Sequence, residues 1–175
     1  DNQYNIDRIK LGRLLFYDPI LSAEKASTCA TCHHPALGFG DGRKLPAGVS
    51  NSIHIGPKRE LGVSKATNLP IGDVPRNSPT VFNTAFNLDS TGELTPFGVM
   101  FWDGRARGLE AQAVKPPTSR EEMKGDMLSP NNVFTFICLS LDKIDEYRML
   151  FEKAFPEEAK EYKSKGDEFT ITKQM

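Results

Sequence analysis

Two cysteines and a histidine stand together in Cys29-Ala30-Thr31-Cys32-His33. This is the spacing of covalent c-type heme attachment. Two thiols add across the two vinyl groups of the porphyrin, and one helical turn between them lets both reach the same edge. His33 then lies beneath the iron and offers an imidazole nitrogen as proximal ligand. Other chemistries also use a CxxC pair. A thioredoxin-like redox pair needs a βαβ setting, which the flanking sequence does not have. Half a zinc site needs further ligands, and only His34, His54 and Cys138 are left to supply them. Heme c is therefore the expected cofactor. His34 is expected to face away from the iron and to hydrogen-bond at the surface. Cys138, among Phe134, Phe136, Ile137 and Leu139, is expected to be a buried, inert thiol.

Several elements must position this motif. Residues 6–17 carry Ile6, Ile9, Leu14 and Tyr17 at roughly helical spacing, and Asp18-Pro19 ends that helix. From 38 to 80 the chain is rich in Gly, Pro, Ser and Asn and follows neither a helical nor a strand period; loops of this length in a compact domain are functional or mobile. A helix is predicted over 105–115, stopping at Pro116-Pro117. Ser119 to Glu122 has the form of a capping box that starts a short helix. Ser129-Pro130 opens a helix over 130–140. Asp142 is expected to cap another, with Ile144, Tyr147, Leu150, Phe151, Ala154 and Phe155 as its apolar stripe, closed by Pro156. Residues 157–168 read as a charged connector and FTITKQM as the start of a further element. There is no repeat and no strong hairpin signal. The expected class is mainly α.

The bulk composition narrows the function classes. The 175 residues are 38% apolar and 26% charged, as in an ordinary globular protein. A net charge of −1 gives no electrostatic case for nucleic acid or an anionic membrane surface. No apolar run is long enough to span a bilayer. Three cysteines make neither a disulfide framework nor a four-cysteine zinc site.

Five segments make the sequence resemble the N-terminal heme domain of the bacterial diheme cytochrome c peroxidases, the family that includes the MauG-type enzymes. They are LGRLLFYDPILS (11–22), STCATCHHPALGFGDG (27–42), PRNSPTVFNTAFN (75–87), FWDGRA (101–106), and LEAQA with EEM (109–113 and 121–123). The resemblance implies a cytochrome c-like heme domain over 1–156. Residues 157–175 would then be a connector and the start of a second heme domain that lies outside this chain. It also implies that Gln112 and Glu122 are the distal glutamine and glutamate, that Trp102 lies between the two hemes, and that Asn77 is a calcium ligand. His54 is the only histidine in the long loop, where many members carry a distal iron ligand. That loop is longer here than is usual in the family.

Each of these residues also has a plainer reading. Glu122 occupies the N3 position of the Ser119 capping box. Gln112 suits a helix surface, Trp102 suits a core, and Asn77 suits a turn before Ser78-Pro79. His54 suits a solvent-exposed loop.

The resemblance implies an enzyme that reduces hydrogen peroxide with electrons relayed from a second heme c. A small redox protein would be the electron donor, the oligomer a homodimer and the compartment the periplasm. Two alternatives stand beside it. One is a MauG-type oxidation of a protein partner. The other is a single-heme electron-transfer cytochrome, for which Met100, Met123 and Met127 are candidate axial ligands.

Overall fold

The computed structural model describes residues 4–84, 86–167 and 169–172. The chain is mainly α. The helix α1 (Ile6–Tyr17) starts at Asn5, whose side chain accepts from the N–H groups of Asp7 and Arg8. It ends where expected. Asp18 leaves the helical conformation ahead of Pro19, and its carboxylate then caps a 3₁₀ turn over Pro19–Leu21 at 2.7 Å from the Ile20 N–H. The apolar positions read from sequence do not face the core. Ile6, Ile9, Leu14 and Tyr17 are about half exposed, while Leu11 is the buried residue of α1.

The core lies where α1 and α4 (Val133–Asp142) pack on α5 (Asp145–Ala154). Val133, Ile137 and Leu141 come from α4, and Tyr147, Phe151 and Ala154 from α5. Burying a side chain such as Phe151 contributes about 1.5–3 kcal/mol. Polar ties fix the orientation: the Tyr147 hydroxyl donates to Asp18 at 2.7 Å, and Arg8 Nε donates to the Ala154 carbonyl at 2.8 Å. The expected stripe of α5 is present, but its cap is different. Ile144 is the N-cap residue, with Asp145 and Glu146 in the first turn, where carboxylates favour the helix dipole. Asp142 ends α4 instead and accepts from the Ile171 N–H at 3.1 Å.

Further expectations are corrected. Pro156 does not close a helical region; it opens α6 (Pro156–Ser164), because proline is tolerated at a first helical position. The expected connector is thus largely helical. Ala159 on α6, followed by Phe169 and Ile171, joins the same core. Of FTITKQM, residues 169–172 have no regular secondary structure, and 173–175 lie outside the described residues. Over 105–115 only α3 (Leu109–Ala113) is helical. Ala106–Arg107 form β2, paired antiparallel with β1 (Val99–Met100), so a small hairpin exists that the sequence did not signal. Cys138 is half-buried rather than buried.

The segment 38–80 is irregular, with one 3₁₀ turn at Gly56–Lys58. Its order comes from side chains bonding backbone, as buried polar backbone requires. The Ser50 hydroxyl donates to the Glu60 carbonyl at 2.6 Å. Buried Glu24 accepts from the Ser64 hydroxyl and the Lys65 N–H at 2.9 and 2.8 Å. Arg43 and Arg59 bind several carbonyls each.

Candidate functional site

The attachment motif forms its own short helix, α2 (Cys29–Cys32). Four residues are too few to be stable alone. A reciprocal cap fixes them: the Thr28 hydroxyl accepts from the Thr31 N–H at 3.1 Å, and the Thr31 hydroxyl accepts from the Thr28 N–H at 2.9 Å. The signal for this, Thr-x-x-Thr around Cys29, stood in the sequence unread. The turn sets the two thiols on neighbouring positions, both free of a disulfide. Burial pushes Cys29 up. Cys32 is pushed up to about 12, chiefly by burial and then by Asp41, with Arg59 pulling the other way. A redox-active CxxC needs the opposite shift.

His33 follows α2 and is held by its Nδ1, which stands 3.1 Å from the Phe39 carbonyl and 3.0 Å from the Pro79 carbonyl. Carbonyls only accept, so Nδ1 carries the proton and Nε2 keeps its lone pair. This is the arrangement by which a ligating histidine has its tautomer fixed. Burial lowers the His33 pKa, so the ring is neutral and able to bind a metal. The donor set of Cys29, Cys32 and His33 therefore fits heme c. His34 turns away, and its Nδ1 caps the next 3₁₀ turn by accepting from the Ala36 N–H at 3.2 Å.

Glu122 lies in a five-residue π-helical turn, Arg120–Lys124. The capping box read from Ser119-x-x-Glu122 does not form, because the Ser119 side chain makes no cap hydrogen bond. The turn is instead held from outside. The Val49 N–H donates to the Glu121 carbonyl at 3.0 Å, and the Ser27 hydroxyl donates to the Glu122 carbonyl at 2.9 Å. Gly48 packs directly against this backbone; a Cβ there would overlap the carbonyl oxygens of Glu121 and Glu122. Ser27 precedes Thr28, so the Glu122 backbone is tied to the entry of the attachment helix. The Glu122 carboxylate has no hydrogen-bond donor among the described residues. Burial raises its pKa, Arg105 lowers it less, and its charge in turn bears on Cys32. Glu122 is half-buried, and a carboxyl with a raised pKa can both take up and give back a proton near neutral pH.

Gln112 is half-buried on α3, and its carboxamide makes no hydrogen bond among the described residues. Trp102 is not a core residue. It is 65% exposed in the turn of the β1–β2 hairpin, after Phe101 at φ +66°. A bulky residue at positive φ is strained by about 1–3 kcal/mol. Arg105 offsets this by stacking 3.6 Å from the Phe101 ring centre. The structure joins Trp102 to Asn77: the indole Nε1 donates to the Asn77 carbonyl at 2.9 Å. The Asn77 amide donates to the Arg43 carbonyl at 2.8 Å, which leaves Oδ1 as the one side-chain atom free to face an ion. Among the described residues no three His, Cys, Asp or Glu side chains gather as a metal cage. The His54 ring is exposed.

Comparison with known proteins matches residues 6–173 to the family model described as di-haem cytochrome c peroxidase. The methylamine utilization protein MauG of Methylophilus methylotrophus is 33% identical over 90% of this chain. The cytochrome c551 peroxidase of Pseudomonas aeruginosa is 33% identical over 86%. The chain spans 36% and 33% of the lengths of those two proteins. A solved MauG-like protein associated with microbial copper homeostasis superposes on 90% of the chain with a TM-score of 0.60 and 25% identity. The chain covers 36% of that protein too. Among the described residues no helix is long and apolar enough to cross a membrane.

Proposed function

The chain belongs to the di-haem cytochrome c peroxidase family, and from that membership we propose that it is the peroxidatic heme domain of such an enzyme, reducing hydrogen peroxide to water. One observation carries the reading: the Ser27 hydroxyl binds the backbone carbonyl of Glu122 at 2.9 Å, which fixes this half-buried residue, whose carboxylate has no hydrogen-bond donor among the described residues, beside the entry of the helix that bears Cys29 and Cys32.

Cys29 and Cys32 would hold the heme by thioether bonds and His33 by Nε2. When bound, the heme supplies a redox-active iron where peroxide can be reduced. The reaction consumes two electrons and two protons per peroxide and yields two waters. Glu122 takes a proton from one peroxide oxygen onto its carboxylate and returns it to the other, which then leaves as water. Burial suits it to both halves of that transfer, since a raised pKa brings the carboxyl closer to working pH. The Gln112 carboxamide orients peroxide by hydrogen bonding. Trp102 relays electrons from a second heme c carried beyond this chain. Asn77 Oδ1 would be one calcium ligand.

In this reading residues 1–156 form the body of the heme domain and 157–175, whose Ala159, Phe169 and Ile171 pack into its core, lead toward the second. A small redox protein donates the electrons, the assembly is a homodimer, and heme attachment places the protein in the periplasm. These points rest on the resemblance. A MauG-type oxidation of a partner protein is the second reading, since the chain is as similar to the Methylophilus MauG as to the Pseudomonas peroxidase, 33% identical to each. Peptide mass mapping tests the heme site. The peptide containing Cys29 to His33 is expected to carry the mass of one heme through acid-acetone extraction; a peptide with two free thiols and extractable heme would refute the assignment.

A further inference from the structure

Arg59 is 5% exposed. A guanidinium has five N–H groups, and all five of these donate to main-chain carbonyls. Nε reaches Ala47 at 2.7 Å. Nη1 reaches Ser52 at 3.1 Å and His54 at 3.2 Å. Nη2 reaches Ala26 at 2.9 Å and Gly48 at 2.7 Å. Among the described residues no carboxylate forms an ion pair with it. Buried charges are ordinarily paired, because desolvation is costly. Here carbonyl dipoles solvate the charge and leave it uncompensated. Arg43, which donates to the carbonyl of Arg59 itself at 2.6 Å, is paired with Asp73 at 3.3 Å.

The position of this charge matters. Ala26 lies two residues before Thr28, the cap of the attachment helix. Gly48 abuts the Glu122 backbone. We propose that Arg59 is a fixed cation that raises the reduction potential of a heme bound at Cys29, Cys32 and His33, acting through space. This rests on the heme assignment above. Contact with a heme propionate is not the means, since every donor is committed and a propionate would have to displace a buried carbonyl. Reduction adds one negative charge at the iron, which a nearby cation favours. A charge shielded from water is weakly screened by salt, so the effect persists at physiological ionic strength.

A strut that merely holds the loop would have the same five hydrogen bonds, so stability alone does not separate the two roles. The test is spectroelectrochemical titration of the heme-loaded full-length protein, wild type against Arg59→Gln and Arg59→Lys. Covalent heme is first confirmed by heme staining of a denaturing gel. A wild type without covalent heme refutes the heme assignment, whereas heme with an unaltered potential refutes only the role of Arg59. In Arg59→Gln the reduced-to-oxidised ratio at a fixed ambient potential is expected to fall at least tenfold, which is about 59 mV for a one-electron couple. Arg59→Lys keeps the charge and loses the fork. Measured near pH 6, where a lysine facing carbonyls holds its proton, it is expected to stay within threefold of wild type while its thermal midpoint drops. An unchanged Arg59→Gln, or an Arg59→Lys shifted as far as tenfold, would overturn the proposal. If Arg59→Gln does not accumulate, Arg59→Lys decides by its pH dependence: raising the pH until the buried lysine loses its proton is expected to lower the reduced-to-oxidised ratio at least tenfold relative to wild type at the same pH, and a ratio that tracks wild type throughout would overturn the proposal.

Discussion

Gly48→Ala adds one methyl group where the long loop meets the π-helical turn. A Cβ at this position overlaps the carbonyl oxygens of Glu121 and Glu122 and the Glu122 Cα. These are backbone atoms, so no side-chain rotation relieves the clash and one of the two segments must move. Overpacking of this kind costs about 1–3 kcal/mol. The displacement also strains the hydrogen bonds from Val49 to Glu121 and from Ser27 to Glu122, each worth about 0.5–1.5 kcal/mol. The expected loss of stability is about 2–6 kcal/mol, the upper end applying if both hydrogen bonds are lost. Moving the Glu122 backbone also moves its carboxylate, and a displacement of about 1 Å at a catalytic group costs about 10²-fold in rate. Gly72→Ala is the control, because a Cβ there meets nothing within 4 Å. Both variants are measured as heme-loaded full-length protein, by thermal unfolding and by stopped-flow reaction with peroxide. If Gly48→Ala matches Gly72→Ala in both, the close approach does not position Glu122 and the reasoning fails.

Other outcomes are expected as follows. Glu122→Gln keeps the shape of the side chain and should slow the peroxide reaction by about 10²- to 10⁴-fold, or about 3–5 kcal/mol of barrier. Because burial raises the Glu122 pKa, the wild-type rate should fall on acidification at a pH above the ordinary carboxylate range, and the variant's profile should lack that limb. The stability sign is also fixed: a raised folded pKa costs nothing below the unfolded value and costs progressively more as pH rises through the folded one. Glu122→Gln should therefore gain stability relative to wild type as pH rises through that range, and thermal midpoints measured across pH check this. Thr28→Ala removes the cap of the attachment helix and should cost about 0.5–2 kcal/mol in denaturant titration. His54→Ala should leave the ferric absorbance spectrum unchanged, because the ring is exposed; conversion from low to high spin would instead make His54 an iron ligand.

The parts of this structure that were legible in the sequence are those set by local chemistry. Cys29, Cys32 and His33 declare themselves by spacing, α1 ends at Asp18-Pro19 as its residues dictate, and the stripe of α5 is periodic. What failed depended on partners distant in sequence. Ser119-x-x-Glu122 has the letters of a capping box, yet Val49 and Ser27 capture the backbone of that turn and Glu122 is left without a capping role. The charges of 157–168 hide a helix because Ala159 and Tyr162 are all it needs to lean on the core. The face of α1 departs from the apolar period because Leu11, and not the more regular Ile6, Ile9 and Leu14, is buried in the core. Arg59 was invisible for a different reason: its partners are carbonyls, which every residue has, so no sequence pattern announces them. Trp102 and Asn77 stand out by resemblance, and the fold joins them through the hydrogen bond from the indole to the Asn77 carbonyl.

The central claim is that the heme on Cys29, Cys32 and His33 meets peroxide with Glu122 beside it. Its most direct test is rapid mixing of ferric full-length protein with hydrogen peroxide, before and after one-electron reduction, while heme absorbance is followed. The expected result is an absorbance change whose rate rises linearly with peroxide concentration and falls by about 10²- to 10⁴-fold in Glu122→Gln. A heme spectrum that ignores peroxide in both redox states would contradict the account and leave an electron carrier.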